Sequence, residues 1–152
     1  MGLLSDLEGP RVYLNTNILI YWIEGFSAGA AELQELFDAF AEGRLTGVTS
    51  ELTLAEVLVR PIADGKHHAR VAYERALRDS VEFAVLPVSR EILIRAAGIR
   101  ARHKLKLPDA IHVATAELSH CNTFLTNDAR LKRVAGIRVI VLSEAGSGFR
   151  PN

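Results

Sequence analysis

A chain of 152 residues suits a single domain, one able to bury roughly 70% of the surface its unfolded form exposes. Apolar residues make up 49% and charged residues 24% of it, the balance of an ordinary soluble globular protein. Its 18 basic side chains match its 18 acidic ones, which excludes a protein that holds nucleic acid by overall charge, but not a nuclease with a basic rim around an acidic centre.

The opening "MGLLSDLEGP" has no basic stretch or long apolar core and reads as neither signal peptide nor anchor. The first strand, 12–14, runs directly into a helix in "RVYLNTNILIYWIEG", with Asn15 at the strand's end. Asparagine is a favoured helix N-cap, and the same position is also where a further carboxylate would complete an acidic site. Tyr21 and Trp22 on this helix are expected to be exposed and to serve an interface. Residues 31–41 place Leu33, Leu36, Phe37 and Phe40 on one helical face, and Gly43 can end that helix.

The second strand, 45–49, leads into "ELTLAEVLVRP", a helix that Pro61 should stop. Glu56 stands mid-helix among Leu52, Leu54, Val57, Leu58 and Val59. A carboxylate so surrounded should be nearly buried and needs a partner. Arg60 can reach back to it, or a metal ion or substrate group can fill the role. A more polar helix, 66–80, precedes the third strand, 83–88. Residues 89–107 read as a long helix capped by Ser89, with a basic end.

The next helix opens at Pro108 and carries Asp109 in its first turn, where a negative charge is favoured in any case. His112 behind it reads as a packing histidine rather than a ligand. Asp128 follows the fourth strand, 123–126, and can cap a short helix closed by Gly136 before the last strand, 138–142. The single cysteine, Cys121, excludes an internal disulfide, suits a reducing compartment and reads as a small buried residue. No apolar run approaches the roughly 20 residues that cross a bilayer, and the expected location is cytoplasmic.

Alternating strands and helices imply a parallel sheet with helices on both faces, a three-layer α/β/α sandwich. In such sheets ligands sit beyond the carboxyl ends of the strands. Asn15 and Asp128 fall there, and Glu56 and Asp109 can converge on the same edge. Clustered oxygen ligands suit Mg²⁺ or Mn²⁺ and support phosphodiester hydrolysis. Arg100, Arg102, His103, Lys104 and Lys106 before Asp109, and Arg130, Lys132 and Arg133 after Asp128, read as solvated helix ends or as a rim that contacts phosphates.

"VYLNTNILIYW", "TSELTLAEVLVRP", "LPDAIHVATA" and "FLTNDARL" occur in the order and rough spacing of the PIN-domain ribonucleases, and most resemble the VapC toxins of VapBC type II toxin–antitoxin pairs. The resemblance runs from Arg11 to about Ser143. It implies a PIN-like sandwich forming one domain over 1–152, with 1–10 and 144–152 peripheral. It also implies a Mg²⁺- or Mn²⁺-dependent endoribonuclease that acts on RNA. By motif, Glu56, Asp109 and Asp128 match acidic active-site positions, and Asn15 stands where the family has aspartate. Asp109, Asp128 and position 15 would hold metal, with Thr16, Asn17 and Thr126 as hydrogen-bonding support.

Members of this kind are typically dimeric and inhibited by a VapB-type antitoxin, which alone contacts DNA. The neutral Asn15 amide lacks one charge and one strong oxygen ligand, which implies weakened metal binding and impaired cleavage. A nuclease of RNA processing, a module that binds RNA or antitoxin without cutting, and a phosphoacceptor domain are the competing readings. The last wants a lysine late in the chain where "LTND" supplies an acid.

Overall fold

The computed structural model describes residues 2–26, 29–134 and 136–145. Five strands, β1 (Arg11–Leu14), β2 (Thr46–Ser50), β3 (Phe83–Leu86), β4 (Thr123–Thr126) and β5 (Arg138–Val141), form one parallel sheet in the order β3-β2-β1-β4-β5. The strands lie within a residue or two of the expected apolar runs. The helices are α1 (Leu3–Asp6), α2 (Thr16–Glu24), α3 (Ala30–Ala41), α4 (Glu51–Ala63), α5 (His67–Ala76), α6 (Arg90–His103) and α7 (Leu107–Leu118).

Period-two alternation divides the core between the two faces of the sheet. Val12, Leu14, Leu125 and Ile140 pack in one cluster with Ile18, Leu33, Leu36 and Phe40 from α2 and α3. Tyr13, Val48 and Phe124 face the other way, onto Ile92, Ala96 and Ile99 of α6 and Ala110, Val113 and Ala114 of α7. Helix α7 is buried at every position from Ala110 to Ala116, which matches its small and apolar composition. Gly47 on β2 lets the rings of Phe83 and Phe40 close over the strand, because a Cβ there would stand 2.5 Å from Phe83 Cδ2.

Strands β2 and β3 lie on one side of β1, and β4 and β5 on the other. The crevice beyond the carboxyl ends of β1 and β4 is therefore the switch point of the sheet.

Several expectations need correction. Pro61 does not stop α4, which continues to Ala63. Its missing N–H removes one bond, and the turn beyond is held by Asp64 N–H to Arg60 O at 2.9 Å and Lys66 N–H to Pro61 O at 2.8 Å. The long helix ends early, at His103, because Lys104 turns left-handed (φ 55°) and swings the chain into α7. The segment after Asp128 is a 3-10 turn, Ala129–Arg133, that ends before Gly136. Tyr21 and Trp22 are not free surface: both are partly buried, and Trp22 stacks on Phe37 with centroids 4.4 Å apart.

Residues 1–10, expected as a peripheral tail, contribute the fully buried Leu3 to the core through α1. Of the expected tail at 144–152, residues 146–152 lie outside the described residues, and Ala145 is buried. Among the described residues no helix is long and apolar enough to cross a membrane.

Candidate active site

At the end of β1, the Asn15 N–H still bonds Leu125 O of β4 at 2.9 Å, after which the chain turns into α2. The buried Asn15 side chain accepts from Thr16 N–H at 3.0 Å and donates through Nδ2 to Thr126 Oγ1 at 2.8 Å. The Thr16 amide is a donor only, which sets the orientation of the Asn15 amide. Thr126 Oγ1 also accepts from Asp128 N–H at 3.1 Å and from Asn17 Nδ2 at 3.4 Å. Asn17 Oδ1 in turn takes Asn127 N–H at 3.1 Å. Asn15, Asn17 and Thr126 thus bind the start of α2 to the end of β4, while the Thr16 hydroxyl turns to Glu56 and His112.

Glu56 of α4 reaches the same edge, but less buried than its neighbours suggested: its side chain remains 34% exposed. Helix α4 presents Ala55, Glu56 and Val59 outward while Thr53, Val57 and Pro61 take the core side. Its partner is not Arg60. Glu56 Oε1 receives His112 Nε2 at 2.6 Å and the Thr16 hydroxyl at 2.8 Å. Burial works to raise the Glu56 pKa, and the hydrogen bonds from His112 and the Thr16 hydroxyl outweigh it, leaving the carboxyl below its usual value.

Asp109, in the first turn of α7, has its pKa raised by burial and then by the charge of Asp128, with a smaller push from Glu56. Asp128 caps the 3-10 turn through Arg130 N–H at 3.0 Å. Its carboxylate is gripped by the Arg130 fork, with Nε to Oδ1 at 2.9 Å and Nη2 to Oδ2 at 2.6 Å. That grip holds the Asp128 carboxyl below its usual range, and the field of Lys106 acts in the same direction. Acids from three separate elements therefore share one electrostatic environment. Among the described residues, no three His, Cys, Asp or Glu side chains form a preassembled metal-holding group.

Sequence reasoning missed two contributors. His112, read as packing, is buried yet bonded on both ring nitrogens, to Tyr13 Oη at 2.7 Å and to Glu56. Asn127 holds the loop after β4, donating to Tyr21 Oη at 3.1 Å and accepting Ser143 N–H at 3.0 Å. Its only signal was its place directly after a strand. Cys121 is partly rather than fully buried, and burial raises its thiol pKa.

A parallel sheet with acidic side chains gathered at its switch point defines an α/β protein with an acidic site at the carboxyl edge. The PIN domain family model matches residues 12–137, and the chain belongs to that family, whose members are generally nucleases that use divalent metals.

The fold is shared with chains of VapBC toxin–antitoxin complexes. One, in VapBC2 from Rickettsia felis bound to a fragment of its promoter DNA, has 17% identity and a TM-score of 0.68, covering 86% of this chain and 98% of that one. Another, in DNA-bound VapBC from Salmonella typhimurium, has 19% identity and a TM-score of 0.65, covering 88% and 99%. A chain of a toxin–antitoxin complex from Klebsiella pneumoniae is 29% identical at a TM-score of 0.56, over 86% of this chain and 97% of that one. No curated protein matches the chain in sequence.

Proposed function

We propose that the chain is the toxin of a VapBC-type pair, a Mg²⁺- or Mn²⁺-dependent endoribonuclease of the cytoplasm whose cleavage is impaired by Asn15. The observation that most supports this is the Asp109 carboxyl, raised first by burial and then by Asp128, with a smaller push from Glu56, across the switch point. Carboxylates set against one another in this way are relieved by a cation, and the hard oxygen donors fit magnesium or manganese. Position 15 is the misfit, because the Asn15 Nδ2 donor takes the place of an oxygen lone pair at Thr126.

Asp109, Asp128 and an aspartate at position 15 would hold the metal, which when bound supplies charge to the phosphate and acidifies a water. Glu56 orients that water or accepts its proton. Lys106, Arg130, Lys132 and Arg133 place RNA phosphates without reading sequence. The toxin–antitoxin neighbours support a VapB-type antitoxin as partner; DNA reached only through that antitoxin, and a homodimer as the working unit, rest on the motif resemblance alone.

The deciding experiment is cleavage of pooled cellular RNA by this chain and by Asn15→Asp, with Mg²⁺, Mn²⁺ or EDTA. Cleavage by the variant alone, stopped by EDTA, is the expected result. Equal cleavage by both would overturn the role given to position 15. A second reading, a module that binds RNA or antitoxin without cutting, is favoured by the Arg130 fork already occupying Asp128. Inactivity of Asn15→Asp under every metal would select it.

A further inference from the structure

We propose that Tyr13 and His112 are positioning residues, a buried pair that fastens one oxygen of Glu56 and leaves the other for the reaction. Only the catalytic consequence rests on the nuclease reading. Tyr13 is 0% exposed on β1 and stacks on Phe124 with centroids 5.0 Å apart and planes 14° apart, so its ring direction is set. Its Oη lies 2.7 Å from His112 Nδ1.

The hydrogen between them belongs to the phenol. A tyrosine hydroxyl is protonated at neutral pH, and the fully buried Tyr13 phenol has one hydrogen to give. Glu56 Oε1 can only accept, so His112 Nε2 carries the imidazole hydrogen and Nδ1 is left to accept from the phenol. Tyr13 therefore donates, Nδ1 accepts, and the imidazole hydrogen resides on Nε2.

That Nε2–H points at Glu56 Oε1 at 2.6 Å, and the Thr16 hydroxyl joins the same oxygen at 2.8 Å. Among the described residues Glu56 Oε2 has no hydrogen-bond partner. Residues of β1, α7, α4 and α2 thus meet at one carboxylate oxygen, and Oε2 is the lone pair left to a water or a ligand. An imidazole free to exchange tautomers would lose this hold on Oε1 whenever its hydrogen moved to Nδ1, and the carboxylate would be free to turn.

Nitrogen-15 spectra of the histidine rings in the unaltered chain, with the His112 signals assigned by their loss in His112→Gln, test the pairing. The expected result is a single Nε2–H tautomer that becomes a mixture in Tyr13→Phe. A hydrogen on Nδ1, or spectra unchanged in Tyr13→Phe, overturns it. In the Asn15→Asp background, Tyr13→Phe should lower kcat about tenfold with KM unchanged. His112→Gln, which keeps a donor toward Glu56, should retain more activity than His112→Ala. An undiminished kcat in Tyr13→Phe overturns the positioning role. If Asn15→Asp itself never cuts while the tautomer result holds, the pairing stands, and it is the nuclease reading and the catalytic consequence that fall.

Discussion

The Asn15 amide donates to Thr126 Oγ1 at 2.8 Å, in the direction opposite to the one an aspartate would use. A carboxylate at position 15 would have to accept from that hydroxyl, while Asp128 N–H and Asn17 Nδ2 continue to donate to it. Thr126 can serve either residue because a hydroxyl both donates and accepts.

The fold should therefore tolerate Asn15→Asp, at a cost in metal-free stability from adding a charge near Asp109 and Asp128. Thermal unfolding in EDTA should give a lower Tm for Asn15→Asp, by the equivalent of about 1 kcal/mol. Millimolar Mg²⁺ should raise the Tm of the variant and leave that of the unaltered chain nearly unchanged.

Asp109 carries a raised pKa, so its ionised form is disfavoured in the folded chain. Its unfavourable contribution is absent at low pH and develops as pH rises from the usual 3.8 through the raised folded value. Asp109→Asn should therefore be at least as stable as the parent at pH 7 and lose that advantage near pH 3. In the Asn15→Asp background the same substitution should abolish cleavage. A Tm well below the parent at pH 7 would contradict the assigned repulsion.

Glu56 has the opposite sign. Its folded pKa lies below the usual 4.5, so its stabilising contribution is present above that value and is lost as pH falls through the folded one. Glu56→Gln should lower the Tm at pH 7 by the equivalent of at most about 1 kcal/mol, since solvent screens a partly exposed pair. The difference should shrink below pH 4. Cleavage by Asn15→Asp should disappear when Glu56→Gln is added, with the circular dichroism spectrum unchanged.

Gly47→Ala tests the packing under the sheet. The new methyl would meet Phe83 Cδ2 at 2.5 Å and Phe40 Cε2 at 2.8 Å, which forces the rings apart. Denaturant unfolding should show a loss of about 1–3 kcal/mol. A neutral result would mean that the aromatic cluster yields freely.

Much of the site was legible because its positions follow from local pattern. Val12–Leu14 and Thr123–Thr126 are short apolar runs followed at once by polar residues, which marks the carboxyl ends of strands and hence Asn15 and Asp128. Proline at 108 announced the start of the helix that carries Asp109. In each case the capping role and the site position coincide, because the end of a strand and the start of a helix are one place in this fold.

The partners of Glu56 were not legible. Arg60 was the near candidate along the helix, whereas the bond went to His112, 56 positions away. Helical periodicity says which residues share a stripe, and not which distant helix will face it. Trp22 and Leu3 were misjudged for the same reason: α3 covers both, and only the packed chain brings it there.

Taken by itself, the sequence determined the order of strands and helices and the row of polar residues at their junctions, because these depend on side chains a few positions apart. Tertiary structure alone decided that Asp109 feels Asp128 and Glu56, and that Tyr13 and His112 hold Glu56. The physical reason is one of range. Backbone geometry spaces neighbours in the chain, whereas charge and hydrogen bonding act over a few ångströms of space that exist only once the sheet has closed between its helices.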